Sequence, residues 1–120
     1  MMHNREQRHY PRVPLTHVSV DVYDSAGRPD KPELCFIVNI SEAGMLFKTD
    51  SRTETEDYSN DKRVRLTFIL PDNNIIIRID AVIVHTRESE LFRYIGVQFK
   101  NVGTAEQNYL KDFVAKFLTG

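Results

Sequence analysis

The sequence holds a single cysteine, Cys35. No internal disulfide is possible, and nothing in the cysteine usage points to an oxidising compartment. Long apolar runs are missing as well. Uninterrupted aliphatic stretches such as Ile75-Ile76-Ile77 are very short, far below the ~20 residues a membrane helix needs. The residues Met1-Met2-His3-Asn4-Arg5-Glu6-Gln7-Arg8 are not followed by the apolar segment of a secretory signal. A cytoplasmic protein without membrane insertion is the expectation. Nor is there an excess of one charge: 16 basic and 17 acidic residues leave a net −1. Duplex DNA binding draws on phosphate neutralisation and usually shows a clear basic surplus, so no DNA partner is expected. His3, His9, His17 and His85 show no metal-ligand spacing with Cys35. No nucleophile, base and orienting group can be assembled. Neither a metal nor a catalytic residue is assigned.

What is present is alternation. The chain of 120 residues fits one domain. Its first fourteen residues are polar and basic with Pro11 and Pro14 among them, an extended arm expected to be mobile when nothing is bound. From residue 15 on, apolar residues recur at every second position: Val18, Val20, Val22; Leu34, Phe36, Val38, Ile40; Met45, Phe47; Val64, Leu66, Phe68, Leu70; Ile75, Ile77, Ile79, Ala81, Ile83; Ile95, Val97, Phe99. These are about six half-buried strands, each expected to turn the named residues inward. Ser25-Ala26-Gly27-Arg28-Pro29 and Pro71-Asp72-Asn73-Asn74 have turn composition. Short connections favour an antiparallel sheet, and this many strands in a small chain favour a closed barrel. The stretch 50–62 is polar and acidic and is expected to be a solvated loop.

The period changes at the end. Leu110, Phe113, Val114, Phe117 and Leu118 have helical spacing, predicting an amphipathic helix over about 104–118 that lays its stripe on the barrel. Thr104 followed by Gln107 suits a capping box. Cys35 is expected to be a small buried hydrophobe, and Arg63, Arg65, Arg78, Arg87 and Arg93 outward charges.

Two short constellations carry chemistry. Arg8 and Arg12 stand four apart in the arm, in Arg8-His9-Tyr10-Pro11-Arg12. In extended chain they share one side, up to ~13 Å apart. Guanidinium forks match phosphate oxygens and the O6/N7 edge of guanine. The second constellation, Asn39-Ile40-Ser41-Glu42-Ala43-Gly44, lies at a break between strands. Asn39 offers an amide and Ser41 a hydroxyl. Gly44 permits a positive φ or a close approach of a ligand to backbone.

In this order, the two resemble the RxxxR and (D/N)xSxxG signatures of the PilZ family, and Gly96-Val97-Gln98-Phe99 is similar to the family's last strand. The resemblance implies an all-β fold with a C-terminal helix: a six-stranded antiparallel barrel over 15–120, preceded by the arm 1–14. It implies a binding module rather than an enzyme, with cyclic di-GMP as ligand and Arg8, Arg12, Asn39, Ser41 and Gly44 as its contacts. The arm would order over the ligand and present a changed surface to an effector protein. Where the family often has aspartate, Asn39 is neutral and should hold guanine's N1–H and amino edge less strongly. The alternatives are a ligand-free interaction domain of the same kind, a small β-barrel enzyme, and a single-stranded nucleic-acid binder. The last would need exposed aromatics on a basic strand face, whereas these are expected mostly to point inward.

Overall fold

The structure, a computed structural model, describes residues 10–24, 32–50, 58–71 and 74–119. Strands β1 (Val13–Pro14), β2 (Ser19–Asp24), β3 (Glu33–Ile40), β4 (Gly44–Asp50), β5 (Arg63–Leu70), β6 (Ile75–Glu88) and β7 (Phe92–Lys100) precede helix α1 (Thr104–Thr119). The order β3-β2-β5-β6-β7-β4 closes through β3–β4 pairing, and every pair is antiparallel. This is a closed six-stranded barrel, with β1 added on β3 as an extra strand. The last two residues of the arm are thus already strand, and Val13 is fully buried.

Five of the six alternating series point as their periods require, with Val20, Val22, Met45, Phe47, Leu66, Phe68, Ile77, Ile83, Ile95 and Phe99 all in the core. Strand β3 differs. Leu34 and Phe36 are 57% and 44% exposed, and Cys35 and Ile37 are buried instead. This strand is apolar on both faces, so its period cannot choose between them. Its register on β2 decides, setting Cys35 beside the inward Val20. A bulge between Ile37 and Asn39 then reverses the phase, so Ile40 is buried where an unbroken strand would have turned Asn39 inward.

The stretch 50–62 is not wholly solvated. Residues 51–57 lie outside the described residues, but Tyr58 is buried, with its ring edge-on to Phe47 at 6.1 Å. Its hydroxyl donates to Glu33 Oε1 at 2.5 Å, and Thr49 Oγ1 donates to Glu33 Oε2 at 2.8 Å. Cys35 Sγ lies 3.9 Å from Tyr58 Oη. Burial, with the Glu33 carboxylate nearby, pushes the Cys35 thiol up to about 12. Burial first, then Cys35 and Glu33, pushes the Tyr58 phenol well above its usual range.

Both groups stay protonated in the folded protein, whereas unfolded they ionise near their ordinary values of 9.0 and 10.0. Their contribution is fully present below about pH 9 and is lost as pH rises toward about 12, because unfolding then releases protons. Urea midpoints at about pH 8, 9.5 and 11 should therefore fall, and the fall should be shallower in a Cys35→Ala, Tyr58→Phe double variant. Equal slopes in the two proteins would refute this.

Helix α1 starts where expected, but its first intrahelical bond runs from Gln107 N–H to the Gly103 carbonyl at 2.9 Å. Gly103 is therefore the cap residue, rather than Thr104. Leu110, Phe113 and Val114 are buried against β1 and β6. Phe117 and Leu118 are 49% and 55% exposed, so only the first part of the stripe docks. The turn at 25–29, together with Asp72 and Asn73, lies outside the described residues.

Candidate functional site

Arg12 and Asn39 meet at one corner of the barrel, and Ser41 and Gly44 belong to the turn that follows β3. The arm is held there because Val13 pairs with Ile40 and Pro14 with Asn39. That pairing brings Arg12 to the surface over the end of β3, where its Nη1 donates to Asn39 Oδ1 at 3.1 Å. Arg12 is exposed and Asn39 half-buried. The β3 bulge makes the meeting possible, since it takes Asn39 out of the core phase. Arg8 lies outside the described residues.

Ser41 builds the turn that follows. Its N–H donates to the Gly44 carbonyl at 2.9 Å, and its Oγ accepts from the N–H groups of Ala43 and Gly44 at 3.1 and 3.2 Å. Ser41 is only 7% exposed, so its hydroxyl first satisfies the local backbone.

Gly44 has no positive φ. A Cβ there would sit 2.3 Å from the Val97 carbonyl oxygen. The close approach is therefore made by the neighbouring strand β7, not by space kept for a ligand. Gly44→Ala should cost about 1–3 kcal/mol through overpacking at the β4–β7 seam. Chemical denaturation measures this, and a change within about 0.5 kcal/mol would show that β7 yields freely.

Beside this turn is a cleft of about 190 Å³ lined by Tyr10, Glu42, Ala43, Gln98, Phe99, Val102 and Gln107. It is smaller than the ~300–1,000 Å³ pockets that engulf a drug-sized ligand, so a dinucleotide would place only part of itself there. Tyr10 and Glu42 sit inside the two sequence constellations and were legible as neighbours of the named residues. Gln98 and Gln107 are distant in sequence, and only barrel closure and the helix start bring them in. None of Arg63, Arg65, Arg78, Arg87 and Arg93 lines the cleft. Arg65 pairs with Asp80 and Arg93 with Glu88, each at 3.0 Å. Among the described residues, no group of three or more His, Cys, Asp or Glu side chains could hold a metal ion.

The expectation about aromatics needs correction. Phe47, Tyr58, Phe68, Phe99 and Phe113 are buried, but Tyr10, Phe36, Tyr109 and Phe117 are exposed. Where aromatics do meet cations on the barrel wall, the ring faces are covered. Lys48 Nζ lies 4.3 Å from the Phe92 centroid and the Arg87 guanidinium 4.6 Å from the Tyr94 centroid.

The described residues thus form a small closed barrel with Arg12 held at the end of β3, beside the turn 41–44. The chain belongs to the PilZ domain family, which it matches over residues 6–116. No curated protein matches it. Among solved structures it is similar to the Bacillus subtilis inhibitor of motility MotI/DgrA (TM-score 0.78, 15% identity, 94% of this chain and 51% of that one). It is also similar to K. pneumonia MrkH in complex with c-di-GMP (0.74, 21%, 93% and 52%). A third similar structure is the PilZ domain of Escherichia coli YcgR with c-di-GMP (0.74, 14%, 94% and 92%). The chain spans about half the length of the first two. No helix among the described residues is long and apolar enough to cross a membrane.

Proposed function

We propose that this chain is a cyclic di-GMP receptor that binds without turning its ligand over. The observation that carries the reading is the convergence of Arg12 and Asn39 beside the turn 41–44, next to an open cleft. Arg12, with Arg8 four residues before it, supplies guanidinium forks for phosphate and for guanine O6/N7. Asn39 addresses the guanine edge, while Ser41 and Gly44 hold the turn against which the ligand rests. Two of the similar solved structures contain c-di-GMP, which supports this choice of ligand.

Arg12 Nη1 donates to Asn39 Oδ1. That oxygen is also the atom able to accept from guanine N1–H, so ligand must share or displace the contact. Fixing the arm costs roughly 1–2 kcal/mol per residue, which the charge-assisted contacts must exceed. The ordered arm then offers a new surface to an effector protein, in the cytoplasm.

Calorimetric titration tests the reading. Cyclic di-GMP should bind, and cyclic di-AMP, GTP and GMP should bind far more weakly, because adenine offers a donor where guanine offers O6. Equal affinity for the adenine analogue, or linear dinucleotide appearing in proportion to protein, would overturn it.

A further inference from the structure

The outer wall of a small barrel should be polar. On β5 and β6 an apolar pair interrupts it. Ile69 and Ile76 are direct cross-strand partners on the outward face, 48% and 51% exposed. They form part of the floor of an open groove of about 400 Å³, together with Ser19, Asp21, Thr67 and Arg78. Register aligns Asp21 with Thr67 and Thr67 with Arg78 in one row across the three strands. Asp21 and Arg78 thus stand about 10 Å apart, two strand spacings. Among the described residues neither has an ion-pair partner, whereas Arg65 and Asp80 in the next row satisfy each other at 3.0 Å.

We propose that this face is an isologous interface with a second copy of this chain. The argument is charge complementarity. A twofold axis lying in the contact plane along β5 exchanges β2 and β6 of the two copies. Asp21 then faces Arg78 of the second copy, and Arg78 faces its Asp21, so two charges without an ion-pair partner among the described residues are satisfied at once. The same operation brings Ile69 onto its own copy at the axis and Ile76 over Ser19. A patch with one charge of each sign on either side of Thr67 at the axis, and an apolar pair in a neighbouring row, is complementary to itself. A partner of one charge sign would leave one member of the pair unmatched. Arg65 would approach its own copy, but it already holds Asp80 and lies toward the end where two curved walls separate. The interface is independent of the ligand reading, since none of these residues lines the cleft beside the turn 41–44.

The test is sedimentation velocity on the full chain from about 1 to about 300 µM, with charge-swap variants. Wild type should show a concentration-dependent monomer–dimer equilibrium. Asp21→Arg and Arg78→Asp should each raise the dissociation constant at least about tenfold, since each self-pairing sets like charges face to face. An equimolar mixture of these two variants should form a heterodimer, because both cross-pairs become Arg–Asp again. Ile69→Lys, at a position 48% exposed, should abolish association and not be rescued by mixing. A wild type monomeric throughout, a dimer indifferent to the single swaps, or swaps that weaken association without restoration in the mixture would each overturn the proposal. The second of these would point instead to the exposed end of α1 at Phe117 and Leu118.

Discussion

Phe113→Ala should lower the free energy of unfolding by about 3–5 kcal/mol, the cost of removing a buried aromatic ring and leaving a cavity. Phe113 is 7% exposed and belongs with Leu110 and Val114 to the part of α1 that is buried in the core. Most of a helix's stability in a protein comes from packing its apolar face, so this seam holds α1 in place. Phe117→Ala, one turn further on, should cost under about 1 kcal/mol because that ring is already 49% exposed. Urea unfolding of the two variants checks the contrast. A Phe117 variant as unstable as the Phe113 variant would mean that the described packing of the helix is wrong. The folded fraction of Phe113→Ala should bind within about threefold of wild type, since the pairing of Val13 with Ile40, which positions Arg12, does not involve the ring.

Arg12→Ala should reverse that pattern. Binding of cyclic di-GMP should weaken by about 1.5–3 kcal/mol, the range for charged hydrogen bonds, or roughly tenfold to a hundredfold. Stability should change by no more than ~0.5 kcal/mol, because the side chain is exposed and gives up a single hydrogen bond to Asn39. Arg12→Lys keeps the charge but not the two-pronged donor, so it should fall between wild type and alanine. Calorimetry on the three proteins decides. Unchanged affinity in Arg12→Ala would remove the arm from the site and leave the turn 41–44 alone to explain binding.

Much of this architecture was legible before any coordinates. Strand β5 alternates over all eight residues, and β6 and β7 carry buried series at Ile77, Ile79, Ala81 and Ile83 and at Ile95, Val97 and Phe99, so the period shows in each. The helix announces itself by its change of spacing. Strand β3 was misread because Leu34, Cys35, Phe36, Ile37 and Val38 are all apolar, so alternation carried no information there. Tyr58 was missed because a single aromatic in an acidic stretch shows no period; it is buried because Phe47 and Glu33 stand ready for its ring and its hydroxyl.

The candidate site divides in the same way. Arg8, Arg12, Asn39, Ser41 and Gly44 stood out by residue type and local spacing, which short-range chemistry can justify. Their physical tasks did not follow from spacing. The turn geometry engages the hydroxyl of Ser41, and the carbonyl of Val97 requires a glycine at 44. Gln98 and Gln107 reach the cleft only because β7 pairs with β4 and α1 starts beside it.

The sequence by itself determined the strands, the helix and the two chemical constellations, because each rests on contacts between residues near in the chain. Only the tertiary structure decided which face of β3 turns inward, how the bulge brings Asn39 to Arg12, and why Gly44 must be glycine. Those outcomes depend on register between strands far apart in sequence, and register is set by the closing of the whole barrel.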